Sequence, residues 1–474
     1  RIVVRQEEGG EPYQTLLEPC AVKLDVVEAS DTVVSQPFDL QMGPLYRMQW
    51  RREGEGVQVL VIVLHHLIAD GWSRGVLMRD FAHYYRQHAG VESHSEMVRT
   101  DEALAQVGYS VFLGDQEWQQ SREMADQLDY WKRQLKGVTL LELPADRPRP
   151  AQATFESKTL IRALPLELAD GMKQLARSSG ATLFMVLLAA FKVLLHRHTG
   201  RSDLAVGVPV AGRRYPECAD LIGFFVNTLV LRTQFSSSDC AAFTEWIQQV
   251  KATVLEGLEH QFVPFSEVVE ACAPRRNSHQ NPLFEVMFQV QSDGYQTQNA
   301  AAPEVQLPGI EFTQSPLEIP ETKFDLTWHV FDRKEELLVA VEYRTALFDE
   351  ARIDRLIRAF ELLLREMLRD PSQTVSTLPI MASGEREEVL QMGQGPQDDS
   401  ETATFVEAFQ RQVKLHPDEI SVRSEEEALT YRELDQQACE LAGRLRALGV
   451  GPEVMVGIHL PRSTALLVAL MAVM

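Results

Sequence analysis

Cysteine is scarce in this chain: the five residues, Cys20, Cys218, Cys240, Cys272 and Cys439, lie far apart and form no CxxC pair. Neither a disulfide framework nor a structural zinc site is expected, and the default setting is reducing and cytoplasmic. Long apolar runs are also missing. The two longest, Leu183 to Phe191 and Ala465 to Met474, fall short of the roughly 20 residues a membrane span needs and read as core helices. No basic start followed by a hydrophobic segment marks a secretory signal. Positive charge is in deficit, with 46 Lys and Arg against 68 Asp and Glu and a formal charge of -22. Nucleic acid and anionic membranes would be repelled, so neither is expected as a partner.

What is present is a chain of 474 residues, long enough for roughly three units at about 150 residues each. Its most informative stretch is His65-His66-Leu67-Ile68-Ala69-Asp70-Gly71-Trp72-Ser73. The preceding Val57 to Leu64 is short, apolar and rich in β-branched residues, which predicts a strand covered on both faces. Side chains alternate along a strand, so His65 and His66 are not expected to converge on one ligand or metal. One imidazole faces a site and the other packs. Gly71 permits a tight turn or a close approach of substrate, and Trp72, Val76, Leu77, Phe81 and Tyr84 follow at helical spacing. The motif therefore sits on a strand-loop-helix corner.

Mixed strands and helices continue on both sides of that corner. Glu7 to Glu11 reads as a hairpin turn, Asp115 to Lys136 as an amphipathic helix, and Pro144 to Pro150 as a stiff, helix-hostile connector. Beyond it come helices near Ser179 to His196, Phe243 to Leu258 and Asp349 to Leu368. Between them lie strands at Leu204 to Pro209, Phe225 to Arg232, Phe284 to Gln291, Asp325 to Phe331 and Leu338 to Tyr343. Residues 371–401 read as a linker, most flexible from Gly393 to Ser400. After it, Phe405 to His416 and Asp435 to Leu448 read as helices.

The nine-residue stretch matches the HHxxxDG signature of nonribosomal peptide synthetase condensation domains, and other segments follow in family order. Ile222 to Arg232 resembles the family's IGFFVNT segment, His260 to Phe265 its HQDxPF segment with Phe262 in place of an acid, and Arg276 to Phe284 its RxxSRNPLF segment. Thr322 to Leu326 and Leu347 to Asp349 are similar landmarks. Leu429 to Leu434 resembles the first segment of adenylation domains, here cut off before any glycine-rich phosphate loop.

The resemblance implies an α/β (α+β) fold of two chloramphenicol-acetyltransferase-like lobes forming a V around a central tunnel. Residues 1–150 would be the first lobe with its start missing, 151–370 the second lobe, 371–401 the linker, and 402–474 a truncated adenylation start whose last helix is exposed or loosely packed on the second lobe. A start without Met and an end inside an apparent helix suit a piece of a longer chain. The implied reaction joins an upstream acyl or peptidyl thioester to the amine of a downstream aminoacyl thioester. Both substrates ride on phosphopantetheine arms of carrier proteins, which are the expected partners together with the rest of the adenylation domain. No cofactor is expected on this piece itself; ATP and Mg belong to a complete adenylation domain.

By the same resemblance His66, Asp70 and Gly71 form the catalytic set. His66 is the imidazole that accepts a proton from the amine, orients the nucleophile or hydrogen-bonds the tetrahedral oxyanion. Asp70 braces the loop through Arg276, the matching family position. His65, Trp72, Ser73, Asn227 and Arg276 are substrate-binding or structural. Competing expectations are an epimerisation domain, a free-standing acyltransferase of the same superfamily, and a catalytically silent module that docks carrier proteins.

Overall fold

A computed structural model describes residues 2–7, 10, 12–18, 24–28, 36–53, 57–90, 118, 120–152, 154–235, 242–272, 281–292, 307–310, 321–333, 336–395, 404–424 and 427–474. They fall into two compact units, Arg1–Glu385 and Arg386–Met474.

The first unit opens with an antiparallel hairpin of β1 (Ile2–Arg5) and β2 (Tyr13–Leu16). A three-stranded sheet follows, in the order β3 (Asp25–Glu28), β4 (Tyr46–Glu53), β5 (Val57–Leu64), with β3 parallel and β5 antiparallel to β4. The β5 strand has the bounds its apolar run implies, but it is not covered on both faces. Only Val61 is fully buried and Val57 is 56% exposed, because β5 is the outer strand of a small sheet and its cover thins toward its start. A 3-10 turn at His66–Ile68 and helix α1 (Gly71–His88) complete this part.

Helix α2 (Arg122–Gln134) leads through the proline-rich connector to a larger layered core. Its elements are β6 (Ser157–Leu164), α3 (Leu166–Ser178), α4 (Leu183–Thr199), β7 (Asp203–Val210), β8 (Asn227–Gln234), α5 (Phe243–Glu259), α6 (Phe265–Cys272), β9 (Val286–Ser292), β10 (Leu326–Asp332), β11 (Leu337–Arg344) and α7 (Glu350–Arg369). The six strands form one mixed sheet in the order β6-β11-β10-β9-β7-β8, parallel where β9 meets β7 and β10, antiparallel elsewhere. Helix α4 is buried all round from Met185 to Leu195, as expected of a helix apolar on every face. Thr182 caps its start through Met185 N, and Gly200, at φ +67, ends it in the left-handed conformation. Helix α7 instead carries one apolar stripe, Ile353, Leu356, Ile357, Phe360, Leu363, Leu364 and Met367, laid on the core.

The reading of 371–401 as a linker is corrected at its start. Thr374 makes a β-bridge to Ala242, and Val375 and Leu378 are buried in the main core, so the chain is anchored at least to Leu378. Two apolar side chains are enough to tie down a segment whose polar composition reads as loop. Helix α8 (Ser383–Gly393) follows, and residues 396–400 lie outside the described part.

The second unit holds α9 (Phe405–Leu415), β12 (Ile420–Arg423), β13 (Ala428–Thr430), α10 (Tyr431–Ala447) and α11 (Thr464–Val473). Thr404 with Glu407 and Thr430 with Glu433 form capping boxes that start α9 and α10. The terminal helix α11 packs on α10 within its own unit, around a small cluster of Leu429, Leu434 and Val468. Leu467, Leu470 and Val473 on it remain exposed. Among the described residues no single helix is long and apolar enough to cross a membrane.

Candidate active site

The corner after β5 begins with His65, whose N–H donates to Leu45 O at 2.9 Å. Its Nδ1 accepts the Leu67 N–H at 3.1 Å, so the neutral ring carries its proton on Nε2. The ring meets Phe38 edge-on, and burial first, then His66 and Lys323, hold it below the usual imidazole range. His66 has the opposite tautomer. Its Nδ1 lies 2.8 Å from Ala69 O, a group that can only accept, so Nδ1 bears the proton and Nε2 keeps an open lone pair. The His66 ring is exposed and stands perpendicular to Phe224 at 5.0 Å. The two imidazoles thus go to different neighbours, but β5 ends at Leu64 and His66 already belongs to the 3-10 turn, so the turn and not strand alternation separates them.

Asp70 caps α1 with a side chain only 2% exposed. Oδ1 accepts from Ser73 N at 2.8 Å and lies 2.7 Å from Ser73 Oγ, while Oδ2 accepts from Phe225 N at 3.0 Å. Its cationic partner is Arg213, at 3.2 Å, with a guanidinium only 5% exposed. Arg276 lies outside the described residues, and the brace observed on Asp70 is Arg213. Burial pulls Arg213 below the usual arginine range, and Asp70 opposes that pull. Arg213 also donates to Leu221 O at 2.9 Å and to Cys218 O, and its guanidinium stacks over Phe225 at 4.2 Å. The preceding Gly212 has φ +62, and a Cβ there would sit 1.9 Å from Phe225 O, so only glycine lets the chain pass.

The same loop is held at further points. Ser73 Oγ is buried, 2.8 Å from Gly223 O, and accepts from Gly223 N at 3.0 Å. Trp72 Nε1 donates to Ala219 O at 2.9 Å, which ties the start of α1 to a distant segment. Arg79 pairs with Asp220 at 2.5 Å. Gly71 corrects another expectation. Its φ is not positive and nothing lies within 4 Å of a Cβ built there, so the turn does not require glycine; open space beside the first residue of α1 is what it leaves. Asn227 donates to Gln261 O and Val263 O at 2.8 and 2.7 Å and accepts from Phe265 N at 3.0 Å. Each of its polar atoms is used to fasten β8 to the start of α6.

Sequence reasoning missed Arg213, Gly223 and the two phenylalanines as parts of this corner. One signal could have found Arg213: a buried Asp70 needs a cation, and Arg213 stands just past the end of an apolar strand. Among the described residues no group of three or more His, Cys, Asp or Glu side chains is placed to hold a metal. An open cleft of about 820 Å3 runs along Phe155 to Lys158, Tyr343 and Phe348 to Glu350. It shares no residue with the histidine corner, so cavity volume does not locate the chemistry.

Comparison with known proteins decides what this corner belongs to. The Condensation domain model matches residues 1–390. This chain belongs to the condensation-domain family. A shorter match, to the AMP-binding enzyme model, covers residues 409–474. A linear gramicidin synthase polypeptide of Brevibacillus parabrevis is 35% identical over 463 residues, 97% of this chain and 9% of that protein. The phosphinothricin tripeptide synthetase of Streptomyces viridochromogenes is 35% identical over 491 residues, covering 98% of this chain and 43% of that protein. The chain thus spans less than half the length of either relative. Among solved structures, a four-domain nonribosomal peptide synthetase bound to AMP and glycine matches at a TM-score of 0.71, with 25% identity over 95% of this chain and 35% of that one. The first condensation domain of the CDA synthetase matches at 0.62 with 18% identity, over 80% of this chain and 86% of that one, a likeness of fold alone.

Proposed function

We propose that this condensation domain forms an amide bond between an upstream acyl or peptidyl thioester and the amine of a downstream aminoacyl thioester, each presented on the phosphopantetheine arm of a carrier protein. The observation that carries this reading is the His66 imidazole, exposed at the corner with Nδ1 committed to Ala69 O and Nε2 free to accept. The amine nitrogen attacks the thioester carbonyl, the carbon–sulfur bond breaks, and the leaving thiolate takes up a proton equivalent to the one the amine loses. An α-amino group has a pKa of about 7.7–8.0, so a large share is neutral without a strong base. His66 Nε2 then acts by accepting a hydrogen bond from the attacking amine, which orients the nitrogen lone pair and receives its proton as the bond forms.

Asp70, Ser73 and Arg213 do not touch the reacting atoms in this reading. They hold the His66 turn against the 213–225 segment, while the open space beside Gly71 lets substrate come close to the start of α1. The domain boundaries that fit are a first lobe to about residue 150, a second lobe reaching to about 380 rather than 370, and an adenylation-like segment after the linker. The carrier proteins belong to the same proposal, supported by the peptide synthetases among the relatives, and so does a cytoplasmic setting, for which scarce cysteine is the support. The test mixes the parent synthetase with two loaded carrier proteins and follows the carrier-bound products by mass spectrometry and chiral analysis. An amide on the downstream carrier is expected. An inverted residue without an amide would reveal an epimerase, transfer from a free small thioester a stand-alone acyltransferase, and no product a docking module.

A further inference from the structure

The segment that receives Asp70 and Ser73 places two adjacent phenylalanines in contrasting surroundings. Gly223 N donates to Ser73 Oγ at 3.0 Å, with the Gly223 carbonyl 2.8 Å from the same oxygen, and Phe225 N donates to Asp70 Oδ2. These bonds stand on either side of Phe224, so its backbone is fixed relative to the start of α1 and the turn that carries His66. Phe225 is 4% exposed and lies under the Arg213 guanidinium. Phe224 is 37% exposed, and its ring stands at 90° to the His66 imidazole, 5.0 Å between centroids. Its ring meets the imidazole that the proposed chemistry uses.

That imidazole needs a wall. The hydrogen bond from Nδ1 to Ala69 O restrains the ring at one atom, and rotation about the Cβ–Cγ bond would turn Nδ1 away from Ala69 O, put the Cδ2 carbon in its place and remove the bond that selects the tautomer. A perpendicular aromatic ring at van der Waals distance blocks that rotation on one side and suits the aromatic quadrupole. We propose that Phe224 is a positioning residue that keeps the His66 ring in the orientation with Nδ1 on Ala69 O and Nε2 toward substrate. The pairing of Asp70 and Ser73 with the backbone around Phe224 then transmits order from the buried clamp to the exposed imidazole. This rests on the role proposed above for His66, and its test is separable from that role.

The test uses the full chain with 15N-labelled histidine. The His66 ring signals are assigned by their disappearance in His66→Ala, and the nitrogen shifts report the tautomer. Loss of ring-current shift alone follows trivially from removing the aromatic ring and is not the readout. In the wild type the proton resides on Nδ1. In Phe224→Leu the nitrogen shifts should move toward a mixture of tautomers with unchanged melting behaviour, and Phe224→Tyr should restore the single form. In the transfer assay Phe224→Leu should lower kcat by up to about 10²-fold, the scale of a misplaced catalytic group, with KM for the loaded carrier little changed. A folded Phe224→Leu protein whose His66 keeps the wild-type tautomer would overturn the proposal, as would a raised KM with kcat retained, which would make Phe224 a substrate contact. If His66→Ala retained full turnover, the catalytic reading would fall while the tautomer measurement still decided whether Phe224 holds the ring.

Discussion

Asp70 and Glu285 are both almost wholly buried, at 7% and 2% exposure, yet the protein treats the two carboxylates in opposite ways. Asp70 is surrounded by donors: Ser73 N, Ser73 Oγ, Phe225 N and the Arg213 guanidinium. Glu285 accepts from Asn281 N through Oε1 at 3.0 Å, while Oε2 has no hydrogen-bond partner among the described residues. Its neighbour Asp325 is the one that the arginines take, Arg149 in a two-point contact and Arg344 at 3.4 Å. Burial first, and then the Asp325 charge, push Glu285 up to about 7. A buried acid is tolerated either by pairing it or by neutralising it, and this chain does the first where distant segments must be joined at the site. The second occurs at Glu285, just before β9 of the six-stranded sheet.

The comparison breaks most visibly if Asp70 is removed. Taking one partner from a buried ion pair costs about 3–5 kcal/mol, since Arg213 would be left buried and uncompensated. Asp70→Ala should therefore lower the denaturation midpoint of the first unit sharply, and urea or thermal unfolding measures it. An unchanged midpoint would show that the clamp carries no stability.

A second effect, a slope with pH rather than a lowered midpoint, comes from Lys192, the cationic counterpart of Glu285. Fully buried on α4, it donates to Leu231 O at 2.7 Å and to Thr233 Oγ1, and burial lowers it to about 7. Above that value the folded state has released the proton, whereas the unfolded chain holds it until about 10.4. The unfolded state binds more protons in this window, so stability should rise as pH increases from about 7 to about 10. Lys192→Met should remove that slope, measured as the difference between wild-type and variant unfolding free energies at several pH values. Parallel curves for the two proteins would place the lysine charge outside the stability balance.

Glu285 supplies the mirror image and the smallest shift. Its folded value lies above the unfolded value of about 4.3, so between roughly pH 4.3 and 7 the folded state binds the extra proton. The stabilisation this gives relative to a permanently ionised acid is complete below that window and fades as pH rises through about 7. Glu285→Gln should thus gain stability relative to wild type between pH 5 and pH 8. A constant difference over that range would mean that Glu285 is not the neutralised acid of the pair.

Much of this architecture is written in local pattern. The apolar β-branched run before His65, the all-round apolar α4 and the single stripe of α7 each announce their element, because period and length are local properties. What was illegible depends on distance along the chain. Arg213 reaches Asp70 across 143 residues, and Gly223 and Phe225 reach Ser73 and Asp70 across 150 and 155. No local period encodes such contacts. Arg276, the brace that the resemblance implies, lies outside the described residues, and the pair seen there is Arg213 with Asp70, which no local pattern announces. Residues Val375 and Leu378 were hidden for another reason: two apolar positions in a polar stretch bear no periodicity, yet suffice to anchor it.

The division of labour at the corner is that Asp70 and Arg213 hold it together while His66 Nε2 handles the amine. Single-turnover transfer between loaded carrier proteins, measured beside the melting temperature for His66→Ala, tests this most directly. The exposed His66 should be dispensable for folding, so the account predicts unchanged melting with transfer lost. A folded His66→Ala protein that transfers at the wild-type rate would contradict it.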